Sequence, residues 1–220
     1  MALLTACSQA SDAANSAADT ASEKASQAAS AVAQKAKDVV PGANISDAPA
    51  GIYKSEASHA YITFQYLHQG FTRPTLRWNE FEATVNLDPE NPTDSTLSVT
   101  IEADSIDSGV AKFDEYLVSP DFFDVDNHPE ITFVSKNLSQ GLTGRGKLTG
   151  DLTMKGITKP VTLDVTLNKV GNHFRSKKPM MGISATGKLK RSDWDLGLYT
   201  PNVGDDVDIS IEVEFIKDGE

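Results

Sequence analysis

Val207-Asp208-Ile209-Ser210-Ile211-Glu212-Val213-Glu214-Phe215 alternates apolar and polar side chains without a break. Period two places the apolar residues on one face of a strand and the polar ones on the other. One face then meets a core and the other meets water, as in antiparallel sheets. Parallel strands, covered on both faces, read instead as continuous apolar runs. The pattern recurs at Phe81–Leu87, Leu97–Ala103 and Val161–Leu167, and more weakly at Tyr61–Leu67, Ile131–Ser135, Gly146–Met154 and Met181–Leu189. Turn chemistry punctuates the series at Asp88-Pro89-Glu90-Asn91-Pro92, Ser139-Gln140-Gly141 and Lys155-Gly156. The reading predicts about eight strands. One helical spacing interrupts them: Val110, Phe113 and Leu117, within Ser108–Ser119, with Pro120 as the stop. Mainly β with one short helix fits an up-and-down barrel or a sandwich. A closed eight-stranded barrel removes exposed edges and has room for one small ligand. Alternation looks the same in a hollow barrel and a packed one, so both stand at this point.

Upstream the physics changes. From Ser8 to about Ala50 the chain is mostly Ala, Ser, Gln, Asp and Lys, with no aromatic residue and almost no large aliphatic one before Val39-Val40-Pro41-Gly42. Such a stretch buries too little apolar surface to offset its ordering entropy. We therefore divide the 220 residues into 1–7, an Ala/Ser-rich linker at 8–50, disordered or marginally helical, and a folded domain at 51–220. Ala14, Ala18, Ala21, Ala25, Ala28, Val32, Lys35 and Val39 follow heptad spacing, which allows self-association into a homo-oligomer, but alanine seams bury little area. The lone cysteine lies in Leu4-Thr5-Ala6-Cys7-Ser8, which resembles a bacterial lipobox. Cys7 is expected to carry a lipid, with 1–7 the remnant of a signal and the linker the polar spacer; an ordinary thiol is the other reading. The formal charge is −11; five acidic and three basic side chains precede residue 51, and 26 and 17 follow it. An acidic chain is a poor nucleic-acid partner, because phosphate binding needs clustered Lys and Arg. No run approaches the length of a membrane-spanning helix.

Catalytic chemistry finds no foothold. His59, His68, His128 and His173 form no close ligand pair, and a single cysteine excludes a multi-cysteine zinc site. No G-x-S-x-G and no glycine-rich phosphate loop is present. Asp104, Asp107, Asp114, Asp121, Asp124 and Asp126 crowd one region, yet their spacing fits no EF-hand and suits helix capping and loop solvation. Phe122-Phe123, Met180-Met181, Trp194 and Tyr199 fall in segments read as loops or strand ends. They either form the entrance for an apolar ligand or plug a barrel end.

Longer motifs narrow the choice. Ala103-Asp104-Ser105-Ile106-Asp107-Ser108, Phe113-Asp114-Glu115-Tyr116-Leu117, Ser119-Pro120-Asp121-Phe122-Phe123-Asp124-Val125, His128-Pro129-Glu130-Ile131-Thr132-Phe133 and Gly150-Asp151-Leu152-Thr153-Met154-Lys155-Gly156 together resemble the YceI-like family. Tyr53, His59, Phe64 and His68, Lys190-Arg191-Ser192-Asp193-Trp194 and Val203-Gly204-Asp205-Asp206-Val207 fit as well. Departures are small: Glu56 stands where Asp is usual, and Ala57-Ser58-His59-Ala60 replaces the common His-Ser step. The resemblance implies an eight-stranded antiparallel lipocalin-like barrel. It further implies an apolar pore for a long isoprenoid, either a polyprenyl phosphate or an isoprenoid quinone, bound as ligand and not as cofactor. It implies a bacterial periplasmic protein, here anchored to the envelope membrane through Cys7, that carries or stores the lipid without catalysis. An envelope stress-response or interaction module with a structural lipid is the alternative. Strand phase nominates Phe64, Phe81, Val99, Phe133, Leu152, Met154, Leu163 and Ile183 as pore residues. Phe122, Phe123, Met181 and Trp194 are expected nearer the mouth, with His68, Arg191 or Asp193 at the rim for the polar head.

Overall fold

The computed structural model describes residues 43–140 and 144–219. Among the described residues ten strands form in chain order: β1 (Gly51–His68), β2 (Thr75–Trp78), β3 (Phe81–Leu87), β4 (Thr96–Glu102), β5 (Ile106–Asp107), β6 (Glu130–Gln140), β7 (Arg145–Met154), β8 (Ile157–Asn172), β9 (Pro179–Lys190) and β10 (Val203–Lys217). An α-helix, α1 (Ala111–Leu117), lies between β5 and β6. Two of the three residues in the predicted spacing face the core, since Leu117 is buried and Phe113 packs against the same cluster, whereas Val110 sits at the N-cap and is 59% exposed.

Eight of the strands close into a ring in the order β1, β3, β4, β6, β7, β8, β9, β10, and β10 returns to β1. Every ladder is antiparallel. Closure leaves the long strands of the ring without an unpaired edge. β1 makes this possible by changing neighbours along its length: Gly51–Lys54 pair with β3, while Ile62–Gln65 pair with β2. Between these stretches β1 bulges, because Ser55 opposes Phe215 and Ala60 opposes Val213. Glu56, Ala57, Ser58 and His59 are thereby thrown outward. β7 and β8 join through Lys155-Gly156, both at positive φ (52° and 71°), which suits the two-residue turns that follow strand twist.

Two buried clusters mark the two ends. One contains Phe64, Leu76, Trp78, Phe123, Trp194 and Leu196. The Phe64 and Trp78 rings lie 4.6 Å apart, and Phe123 meets Trp78 edge-on at 5.8 Å. Trp194 is 2% exposed and donates its indole N–H to the Leu152 carbonyl at 3.2 Å. Of the aromatic residues whose role the sequence left open, Phe122, Phe123 and Trp194 plug this end, and Tyr199 is 55% exposed. The other cluster contains Ala48, Tyr53, Leu167, Met181 and Phe215. Residues 43–50, read from composition as the end of the linker, pack here: Ala48 is 2% exposed, and the Tyr53 hydroxyl donates to the Pro49 carbonyl at 2.7 Å. Cys7, the proposed signal remnant and the heptad pattern lie outside the described residues.

Candidate functional site

Between the two clusters lies a cavity of about 720 Å3. Its size falls within the roughly 300–1,000 Å3 of small-molecule sites. It is about five times the ~150 Å3 cavity that admits benzene, so it has room for an apolar chain of roughly thirty carbons. The walls are strand positions of one phase. Along β7 the lining runs from Gly146 through Leu148 and Leu152 to Met154. That is about 26 Å of strand at ~3.3 Å per residue, so the space is elongated. Leu97, Val99, Leu148, Ile183, Ile209 and Ile211 point inward yet are only half-buried. Inward residues of a packed barrel bury fully; these border empty space. The barrel is hollow.

Chemistry varies along the tube. The inner end is apolar, bounded by Ile62, Trp78, Ile131 and Met154. The polar lining side chains are Asn44, Ser95, Thr96, Ser135, Arg145 and Thr166, all at the other end. Thr96 and Arg145 are exposed, so this end meets solvent. The Ser135 hydroxyl already accepts the Leu97 N–H at 2.7 Å. Arg145 opens β7, opposite Thr166 of β8, with its guanidinium at the surface. Among the described residues, the lining at the mouth thus has one cation and several neutral hydrogen-bonding groups.

Two glycines set the wall. A Cβ at Gly150 would lie 2.4 Å from Phe133 Cζ, and one at Gly187 would lie 2.6 Å from Leu163 Cδ2. Their absence lets the Phe133 ring and the Leu163 side chain lie across neighbouring strands.

The remaining polar clusters are built differently. On the β1 bulge, Glu56 accepts from the Ser58 hydroxyl at 2.6 Å and lies 2.7 Å from His59 Nδ1. These bonds, led by that from Ser58, hold the Glu56 carboxyl below its usual range. Serine and glutamate both address Nδ1, whereas a nucleophile–base–orienter chain needs them on opposite ring nitrogens. No group of three or more metal-ligating side chains occurs among the described residues.

A YceI-like domain model matches residues 53–215, well over half of the chain. The chain belongs to the YceI-like family. Protein YceI of Shigella flexneri is 33% identical over 172 residues, covering 77% of this chain and 89% of that protein. A Campylobacter jejuni YceI protein crystal structure superposes with TM-score 0.61 at 29% identity, covering 68% of this chain and 88% of that one. A domain from Saccharophagus degradans, described as polyisoprenoid binding, shares the fold with TM-score 0.58 at 10% identity, over 77% and 99% of the two chains.

Within this YceI-like barrel the nominated residues separate. Phe81, Val99, Phe133, Leu152, Met154, Leu163, Met181 and Ile183 line the cavity. Phe64 does not; its ring packs on Trp78 behind the inner end. Phe122, Phe123 and Trp194 are not at the mouth but at the plugged end, with α1 and the 191–202 segment. Met181 lies at the mouth end but is 1% exposed, part of the wall and not of an open rim. The proposed rim groups also move. His68 ends β1 at the plugged end, and its N–H donates to the Thr72 carbonyl at 2.9 Å. Arg191 is 8% exposed and spends its guanidinium on the carbonyls of Gly204, Leu196 and Val203. Asp193 is exposed beside it, far from Arg145. Sequence reading missed Arg145, Asn44, Ser95, Thr96 and Thr166 at the mouth and Trp78 at the inner end. Ser135 carried a signal, since it continues the inward phase of Ile131 and Phe133 as a polar interruption.

Proposed function

We propose that this barrel binds a long-chain isoprenoid lipid, without catalysis, to carry or store it in the bacterial envelope. One observation carries the reading: an elongated cavity of about 720 Å3 lined by apolar side chains along its length, with its charged, hydroxyl and amide side chains at the open end. Family membership and the fold shared with a polyisoprenoid-binding domain support it. A branched, nearly insoluble tail gains about 25 cal/mol for each Å2 of apolar surface withdrawn from water, less the cost of ordering it. The tail lies along Val99, Phe133, Leu148 and Ile183, and the head stays at the mouth. Arg145 suits a phosphate head. The hydroxyls of Ser95, Thr96 and Thr166 and the Asn44 amide suit a quinone's carbonyls. Lipidation of Cys7 would hold such a carrier at a membrane facing the periplasm.

Trp78 borders the inner end and reports on the tail. Titration with an isoprenoid quinone should quench tryptophan emission saturably, and Trp78→Phe should remove most of that change. Val99→Trp tests the hollow wall directly: it should fold with stability within about 1 kcal/mol of wild type, because it grows into empty space, yet bind the quinone at least tenfold more weakly. Unsaturable quenching, or full binding by Val99→Trp, would contradict the proposal.

A further inference from the structure

The charge distribution carries an observation that lipid storage alone does not use. The chain has 31 acidic residues, yet residues 165–192 contain none and hold seven Lys or Arg. Four of the seven, Lys169, Arg175, Lys177 and Lys178, are exposed on the hairpin joining β8 to β9. This hairpin runs on past Leu167 and Met181, which line the cavity at its mouth end. Its tip, His173-Phe174-Arg175-Ser176-Lys177-Lys178, is an ordered turn. The Lys177 N–H donates to the His173 carbonyl at 2.8 Å, the Ser176 N–H donates to His173 Nδ1 at 3.2 Å, and the His173 N–H donates to the Lys178 carbonyl at 2.8 Å. At its apex Phe174 is 70% exposed, flanked by the His173 ring at 5.2 Å and the Arg175 guanidinium at 5.1 Å.

None of the ion pairs among the described residues uses Arg175, Lys177 or Lys178. Asp218 feels Lys178 but is held by Lys54 at 2.9 Å. The mouth's acidic loop, with Asp88, Glu90 and Asp94, joins β3 to β4, on the opposite side of the ring. The described chain also begins at this end, where Ala43 and Asn44 border the mouth. A cationic tip with an exposed aromatic ring, beside the opening of an apolar tube, has the chemistry of an anionic bilayer contact: cations for the headgroups and a ring for the interface.

We infer that the 173–178 tip docks on anionic phospholipid surfaces and holds the barrel mouth against the bilayer. This deepens the isoprenoid reading and rests on it for the cargo, though not for the contact itself. The test uses the full chain carrying Cys7→Ser, so that no acyl anchor contributes, sedimented with phosphatidylcholine vesicles with and without one third phosphatidylglycerol. The protein should partition onto the anionic vesicles only, and less so as salt rises. Arg175→Ala with Lys177→Ala and Lys178→Ala should weaken partitioning by about fivefold per cation, on the order of 100-fold together. Phe174→Ser alone should weaken it severalfold. A charge-matched triple on the barrel wall, Lys136→Ala with Lys147→Ala and Lys188→Ala, should change it less than about threefold. No partitioning, equal partitioning onto neutral vesicles, or a wall triple as damaging as the tip triple would overturn the inference. Lipid extracted from the same samples separates the two proposals: an isoprenoid present without vesicle binding overturns the docking alone, and vesicle binding by an empty barrel overturns the isoprenoid reading alone.

Discussion

Gly150 decides how closely two strands of the wall approach. A side chain there would meet not only Phe133 Cζ but the Val134 carbonyl oxygen at 2.5 Å, which is backbone and cannot rotate away. Gly150→Ala should therefore cost about 1–3 kcal/mol, read as a lower Tm. Gly187→Ala meets only the end of the Leu163 side chain closer than 3 Å and should cost less. Arg191 makes a second prediction at this scale. Its three carbonyl partners tie the segment after β9 to the start of β10. Arg191→Met should lose about 3 kcal/mol in chemical denaturation, because buried carbonyls are left without donors. The sequence singled out neither glycine for close approach, because a glycine inside a weakly alternating strand reads the same whether or not a neighbour crowds it. It did not mark Arg191 as buried, because a charged residue beside Ser192 and Asp193 reads as surface until the fold folds carbonyls around it.

At the scale of elements, alternation located the eight long strands and spacing located the helix. β2 and β5 escaped because four and two residues are too short for a period to show. The start of β1 escaped because the bulge at 56–59 breaks its phase. The link between α1 and the 191–202 segment was also invisible from sequence: the Tyr116 and Tyr199 hydroxyls share a 2.8 Å hydrogen bond across 83 residues. That bond pushes the Tyr116 phenol up to about 12 from its ordinary value of 10.0. The folded state then keeps this proton longer than the unfolded state does. The contribution is fully present below pH 10 and is lost as pH rises towards 12. Ultraviolet titration should show Tyr116 ionising late, alongside Tyr53 and Tyr66, whose phenols burial pushes up, and Tyr199→Phe should return Tyr116 alone towards the ordinary range.

For the whole molecule, strand phase assigned the inward face correctly but not the end at which the tube opens. Phase says which side of the sheet a residue occupies. It does not say which set of loops closes the barrel, since polar turn residues occur at both ends. Phe122, Phe123 and Trp194 therefore looked equally suited to a mouth and a plug, and only the closed ring placed them with α1. Hollowness was equally hidden, because Val99, Leu148 and Ile183 have the same alternation whether they face space or one another. The half-buried state of these side chains is what separates the cases, and it shows that the barrel interior is hollow. The most direct check is organic extraction of the full chain, purified from a bacterial host without detergent, followed by mass spectrometry against a Val99→Trp control. An isoprenoid in near-stoichiometric amount from wild type, and much less from the variant, is the predicted result; a barrel that repeatedly yields no isoprenoid, or equal amounts from both proteins, would contradict it.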